Sequence, residues 1–92
     1  MYRIVFTESY DKKARKFIKL HPELFPQYVK TLELLESNPF HPSLRLHKLK
    51  GRLKQLHSVS INIAYRIILE FILKDDMIIP IDIGSHDEVY GR

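Results

Sequence analysis

The spacing of apolar residues changes along the chain, and each change predicts a different element. Tyr2, Ile4 and Phe6 alternate with Arg3, Val5 and Thr7, the two-residue period of a strand. Thr7 or Ser9 then offers a helix cap. Tyr10, Ala14, Phe17 and Ile18 recur at helical spacing, and Lys12, Lys13, Arg15, Lys16 and Lys19 crowd the opposite face. His21-Pro22 ends this helix, because a residue before proline avoids helical backbone angles. A second helix is predicted from Glu23 to Ser37, with Phe25, Tyr28, Val29, Leu32 and Leu35 as its apolar stripe. The segment from Ser37 to Pro42 carries two prolines and reads as a loop.

From Leu44 the period shortens. Leu44 to Lys50 reads as extended, Gly51-Arg52 as a turn or bulge, and His57, Val59 and Ile61 alternate with Ser58, Ser60 and Asn62. Tyr65 to Leu73 is a long apolar strand interrupted by Arg66 and Glu70. Lys74-Asp75-Asp76 has turn chemistry, and Met77 to Ile83 is a further strand in which Pro80 signals an edge or a bulge. The predicted order is β-α-α-β-β-β-β with room for a short final helix. This is an α+β fold: a helical hairpin on one face of a mostly antiparallel sheet, spanning residues 1–92 as a single domain. The second sheet face is then expected to be open, and a site belongs there.

Charge adds an asymmetry. Residues 1–66 hold thirteen Lys/Arg against five Asp/Glu, whereas residues 67–92 hold two against six. A basic body favours polyanions, nucleic acid or an acidic protein. There is no cysteine, so disulfides and cysteine zinc sites are excluded. No stretch is apolar enough to cross a bilayer and no signal-peptide pattern opens the chain, so a cytoplasmic location is expected. The histidines at 21, 41, 47, 57 and 86 lack metal-ligand spacing. The three glycines form no phosphate-cradling loop, so neither metal nor cofactor is expected.

Three groups of residues carry candidate chemistry. Arg45, His47, Lys48, Lys50, Arg52, Lys54 and His57 follow one another without a carboxylate and can track phosphates; a protective basic edge strand would look the same. Arg66 lies in an otherwise apolar strand and needs a partner or a substrate. Glu70 is on the same strand face but about 13 Å away by strand rise. The tail Gly84-Ser85-His86-Asp87-Glu88-Val89-Tyr90 sets an imidazole and a phenol four residues apart, near each other if a helical turn starts at Asp87. Asp87 can equally be a plain cap on a frayed end. Together these groups offer what metal-free RNA cleavage by the 2′-hydroxyl needs: a base, an acid, and cations for the phosphorane.

Leu46-His47-Lys48-Leu49-Lys50-Gly51-Arg52-Leu53, Tyr65-Arg66-Ile67-Ile68 and Asp82-Ile83-Gly84-Ser85-His86-Asp87-Glu88-Val89-Tyr90 resemble the RelE/ParE toxin superfamily of type II toxin–antitoxin systems, nearest in pattern to its RelE and YafQ branches. The resemblance implies a ribosome-dependent endoribonuclease that cuts mRNA in the ribosomal A site beside 16S rRNA and leaves a 2′,3′-cyclic phosphate. By motif position it implies catalytic roles for His47, Arg66, His86 and Tyr90. Phosphate contacts would fall to Lys48, Lys50, Arg52, Lys54 and Arg45. A cognate antitoxin is the implied partner, in a toxin–antitoxin heterotetramer, and an acidic or amphipathic antitoxin segment suits the basic Lys12–Lys19 surface. ParE-like members of the superfamily instead poison DNA gyrase, and a non-toxic relative would only bind RNA or antitoxin. The chain departs from the pattern at His57, Ser60 and Ala64, so the acid and base are not assigned between the histidines.

Overall fold

A computed structural model of the chain describes residues 1–90; the last two residues of the expected domain, Gly91 and Arg92, lie outside the described residues. The elements are β1 (Arg3–Ile4), α1 (Glu8–Leu20), α2 (Phe25–Ser37), β2 (His47–Lys48), β3 (His57–Ser60), β4 (Tyr65–Ile72), β5 (Met77–Ser85) and α3 (His86–Tyr90). The predicted order holds. The sheet runs β1-β5-β4-β3-β2, with β1 parallel to β5 and the other pairs antiparallel.

Element boundaries follow local chemistry. Thr7 caps α1, its Oγ1 accepting from the Tyr10 N–H at 3.1 Å. Proline 22 opens a short 3-10 turn, Pro22–Leu24, so α2 starts at Phe25 rather than at Glu23. Its Pro26 is tolerated because a first-turn N–H has no helical partner to lose. The strand expected over residues 2–6 is confined to Arg3–Ile4, which pair only with Met77 and Ile78. The expected extended run from Leu44 to Lys50 is broken: Pro42–Leu44 is a 3-10 turn and Arg45 adopts a left-handed conformation (φ 49°), leaving only His47 and Lys48 as β2. Ile81 is an extra residue between the Ile68–Asp82 and Leu69–Pro80 pairs, a bulge beside the proline that signalled one.

The helices cover one face. Tyr10, Phe17, Tyr28 and Leu35 pack with Val59, Ile67, Leu69 and Ile78. The Tyr10 and Tyr28 hydroxyls meet at 3.0 Å and tie α1 to α2. Burial pushes both phenols up, so both stay neutral. The opposite face is not fully open, contrary to expectation. Leu49, Ile68 and Val89 form a second buried cluster there, with Leu53, Leu56 and Tyr90 against it. The loop after β2 folds over the sheet to build it. Gly51 turns that loop with φ 67°, a left-handed angle at which a side chain would strain the backbone.

Candidate functional site

Residues paired across neighbouring strands share a sheet face. His47 pairs with Ser58 and Ser58 with Ile68, so this row lies on the face of the second cluster. The next row along the same face, about 7 Å on, is Ser60, Arg66 and Gly84. Lys48 pairs with His57 and belongs to the helix side.

A short helix brings the tail motif to the first row. Ser85 Oγ accepts from the Glu88 N–H at 3.2 Å, and Glu88 Oε1 accepts from the Ser85 N–H at 2.8 Å. This reciprocal pair is a capping box, so Ser85 starts α3 and Asp87 is not its cap. Gly84 leaves room for the returning glutamate: a Cβ there would stand 3.1 Å from Glu88 Cβ. Val89 anchors the helix on Ile68 and Leu49, which fixes His86 and Tyr90 over the sheet. Their rings meet edge to face with centroids 4.4 Å apart.

The result is a shallow depression of about 250 Å³ lined by His47, Lys48, Leu49, Lys50, His86 and Tyr90. Of the residues expected to act together, His47, Lys50, His86 and Tyr90 do meet, whereas Lys48 borders the depression at the strand edge and belongs by register to the helix side. Arg66 lies in the neighbouring row, half-buried, and its Nη1 donates to Ser60 Oγ at 3.1 Å. Arg45 lines a separate depression with Ser60 and Asn62, and its carbonyl accepts from His47 Nδ1 at 3.1 Å. Arg52 and Lys54 are exposed on the turn after Lys50, outside the depression. The Tyr90 hydroxyl is buried and has no hydrogen-bond partner among the described residues, so the ring rather than the hydroxyl faces outward.

The His47 hydrogen bond decides a tautomer. A carbonyl only accepts, so Nδ1 carries the proton and Nε2 is the basic atom of the neutral ring. Asp87 Oδ1 stands 3.8 Å from His86 Nδ1 with both groups in solvent, where such a pair contributes little. His57 is held below the ordinary histidine value, first by burial and then by the charges of Lys48 and His47. It packs edge-on against Phe71 on the helix side and takes no part in the depression. Among the described residues no three His, Cys, Asp or Glu gather as a metal site, and no helix is long and apolar enough to cross a membrane.

Two contacts were not anticipated from the sequence. Ser60, which holds Arg66, stood out there only as a polar position in an alternating strand and as a departure from the toxin pattern. The Ser85–Glu88 box was legible as Ser-x-x-Glu.

No family model and no curated protein matches the chain. Solved structures do. The fold is that of the RelE/ParE-like toxins. YafQ from E. coli superposes with TM-score 0.78 over 99% of this chain and all of its own, at 16% identity. YafQ in the E. coli DinJ–YafQ toxin–antitoxin complex gives 0.76 over 98% of each chain at 18% identity. A metal-bound toxin from Helicobacter pylori gives 0.71 over 98% of this chain and all of its own, at 22% identity.

Proposed function

We propose that this chain is the toxin of a type II toxin–antitoxin pair and cleaves mRNA on the ribosome by 2′-hydroxyl attack, without a metal. The observation that carries the reading is the meeting of His47, with Nε2 as its basic atom, and His86 in one depression, with the Arg66 guanidinium in the next row of the same face. His47 Nε2 takes the 2′-proton as the 2′-oxygen bonds to phosphorus. The bond from phosphorus to the 5′-oxygen breaks, and the protonated His86 ring supplies that oxygen with its proton. The products are a 2′,3′-cyclic phosphate and a 5′-hydroxyl, so atoms and charges balance with no further reactant. Each proton transfer contributes about 10²–10⁴-fold. Arg66 and Lys50 hold the phosphorane charge, for which one well-placed donor contributes about 2.7–4 kcal/mol. The Tyr90 ring offers a stacking surface to a base. Lys48, Arg45, Arg52 and Lys54 extend the positive field along the strand edge and the following turn.

The antitoxin has a surface of its own in this reading. An apolar groove of about 570 Å³ runs between α1 and α2 past Ala14, Ile18, Phe25 and Leu32, with Arg15 and Lys19 at its rim. It suits an amphipathic segment with acidic flanks, and antitoxin occupancy there would accompany a heterotetramer.

Induction of the chain in growing cells tests the reading. The expected outcome is growth arrest with new mRNA 5′ ends in coding regions, relieved by His86→Ala and by Arg66→Ala while both proteins remain folded. DNA breaks without new mRNA ends would point to gyrase poisoning instead. Unimpaired growth would point to a binding relative.

A further inference from the structure

Arg66 is held in an unusual way for a half-buried guanidinium. An arginine kept for structure is ordinarily neutralised by a carboxylate. Among the described residues no carboxylate oxygen lies within ion-pair distance of Arg66, and its partner is the neutral hydroxyl of Ser60. The carboxylate packed against Gly84, across the sheet from Arg66, is Glu88, and its Oε1 is turned to the Ser85 N–H. A guanidinium has five N–H donors, and one bond to a hydroxyl leaves the charge and most of the fork for an anion. Ser60 itself is 8% exposed and sits directly opposite Arg66 in the β3–β4 register, so its Oγ has little freedom.

We propose that Ser60 is a positioning residue: its hydroxyl holds the Arg66 guanidinium on the open face, ready for the scissile phosphate, without neutralising it. A carboxylate at the same place would hold the fork as well and cancel its charge. An apolar residue would leave the long side chain to choose among rotamers, and that ordering would then be lost from the transition state. This inference rests on the cleavage reading and adds to it a residue that touches no substrate.

The test measures cleavage of a defined mRNA in a translating extract by the full-length chain, with rate followed against ribosome–mRNA concentration. Ser60→Ala is expected to lower kcat about tenfold, the loss of one hydrogen bond of about 1.4 kcal/mol, with an unchanged thermal midpoint. Ser60→Thr, which keeps the hydroxyl and suits a strand, is expected to stay within about twofold of the parent. Arg66→Ala is expected to cost about 10²–10³-fold, as for other donors to a developing oxyanion. Adding Ser60→Ala to Arg66→Ala is then expected to cost nothing more, because Ser60 acts only through the arginine. Full activity of Ser60→Ala, or a loss that multiplies with that of Arg66→Ala, overturns the positioning role and leaves the cleavage reading standing. A Thr variant as impaired as the Ala variant also overturns it. Full activity of Arg66→Ala removes the cleavage reading and the role of Ser60 with it.

Discussion

On the helix side of the sheet, Tyr10, Leu35, Val59, Ile67, Leu69 and Ile78 are all but shut off from water; on the other side the buried apolar residues are Leu49, Ile68 and Val89. The first group fills the space between two thirteen-residue helices and five strands. The second fills only the gap under one loop and a five-residue helix. The same sheet thus spends its apolar surface unequally. The thin side is also where His47, Ser60, Arg66 and His86 stand. A polar site needs side chains that reach solvent, and a full second layer of helices would bury them at a cost of several kcal/mol for each unpaired charge. The small cluster is enough to anchor α3 and leaves the rest of the face exposed.

Neighbouring isoleucines test the contrast most strongly, because Ile67 and Ile68 are both buried but face opposite ways. Ile67→Ala is expected to lower stability by about 3–5 kcal/mol, toward the top of the range for such truncations, because the surrounding core cannot collapse onto the cavity. Ile68→Ala is expected to cost about 2 kcal/mol, because the smaller cluster borders solvent and can close up. Urea unfolding of the two variants measures the difference, and equal losses would break the comparison.

A smaller effect belongs to the cap. Ser85→Ala removes the Oγ that accepts from the Glu88 N–H and is expected to cost about 1 kcal/mol. Because α3 is short and sits on the thin side, the loss should appear as local fraying. Hydrogen exchange at residues 86–90 is expected to speed up, and cleavage to fall, with little change in the global unfolding midpoint. An unchanged exchange rate there would mean that Val89 alone holds α3.

The smallest effect is a pH dependence on the packed side. The His57 value is depressed by burial and by Lys48 and His47, so the folded chain binds its proton less readily than the unfolded chain does. The stability that follows from this is present above the ordinary value of 6.5 and is lost as pH falls below it. His57→Phe, which keeps a ring against Phe71, is expected to flatten the stability profile between about pH 7 and pH 5. A slope unaltered by this change would place the titration elsewhere.

The sequence disclosed the element order because each boundary has a local cause: Thr7 as a cap, Pro22 as a break, the turn at Lys74–Asp76. It singled out the candidate residues because their types are unusual for their surroundings, as with Arg66 in an apolar strand. The second cluster was hidden, since Leu49, Ile68 and Val89 come from three distant segments and each also suits an ordinary strand or helix. The left-handed turn at Arg45 was hidden as well, because arginine carries no local preference for that conformation. That turn shortens β2, and the carbonyl it carries selects the His47 tautomer.

In the proposed reaction the thin side of the sheet cuts RNA through His47 and His86. Purified chain added to a translating extract, with and without ribosomes, tests it when the new mRNA ends are mapped and their chemistry is read. Ribosome-dependent cuts that leave a 2′,3′-cyclic phosphate are expected, with His47→Ala and His86→Ala each slowing cleavage by about 10²-fold or more. Cleavage at the parental rate by both variants, or an mRNA left intact by the unaltered chain, would contradict it.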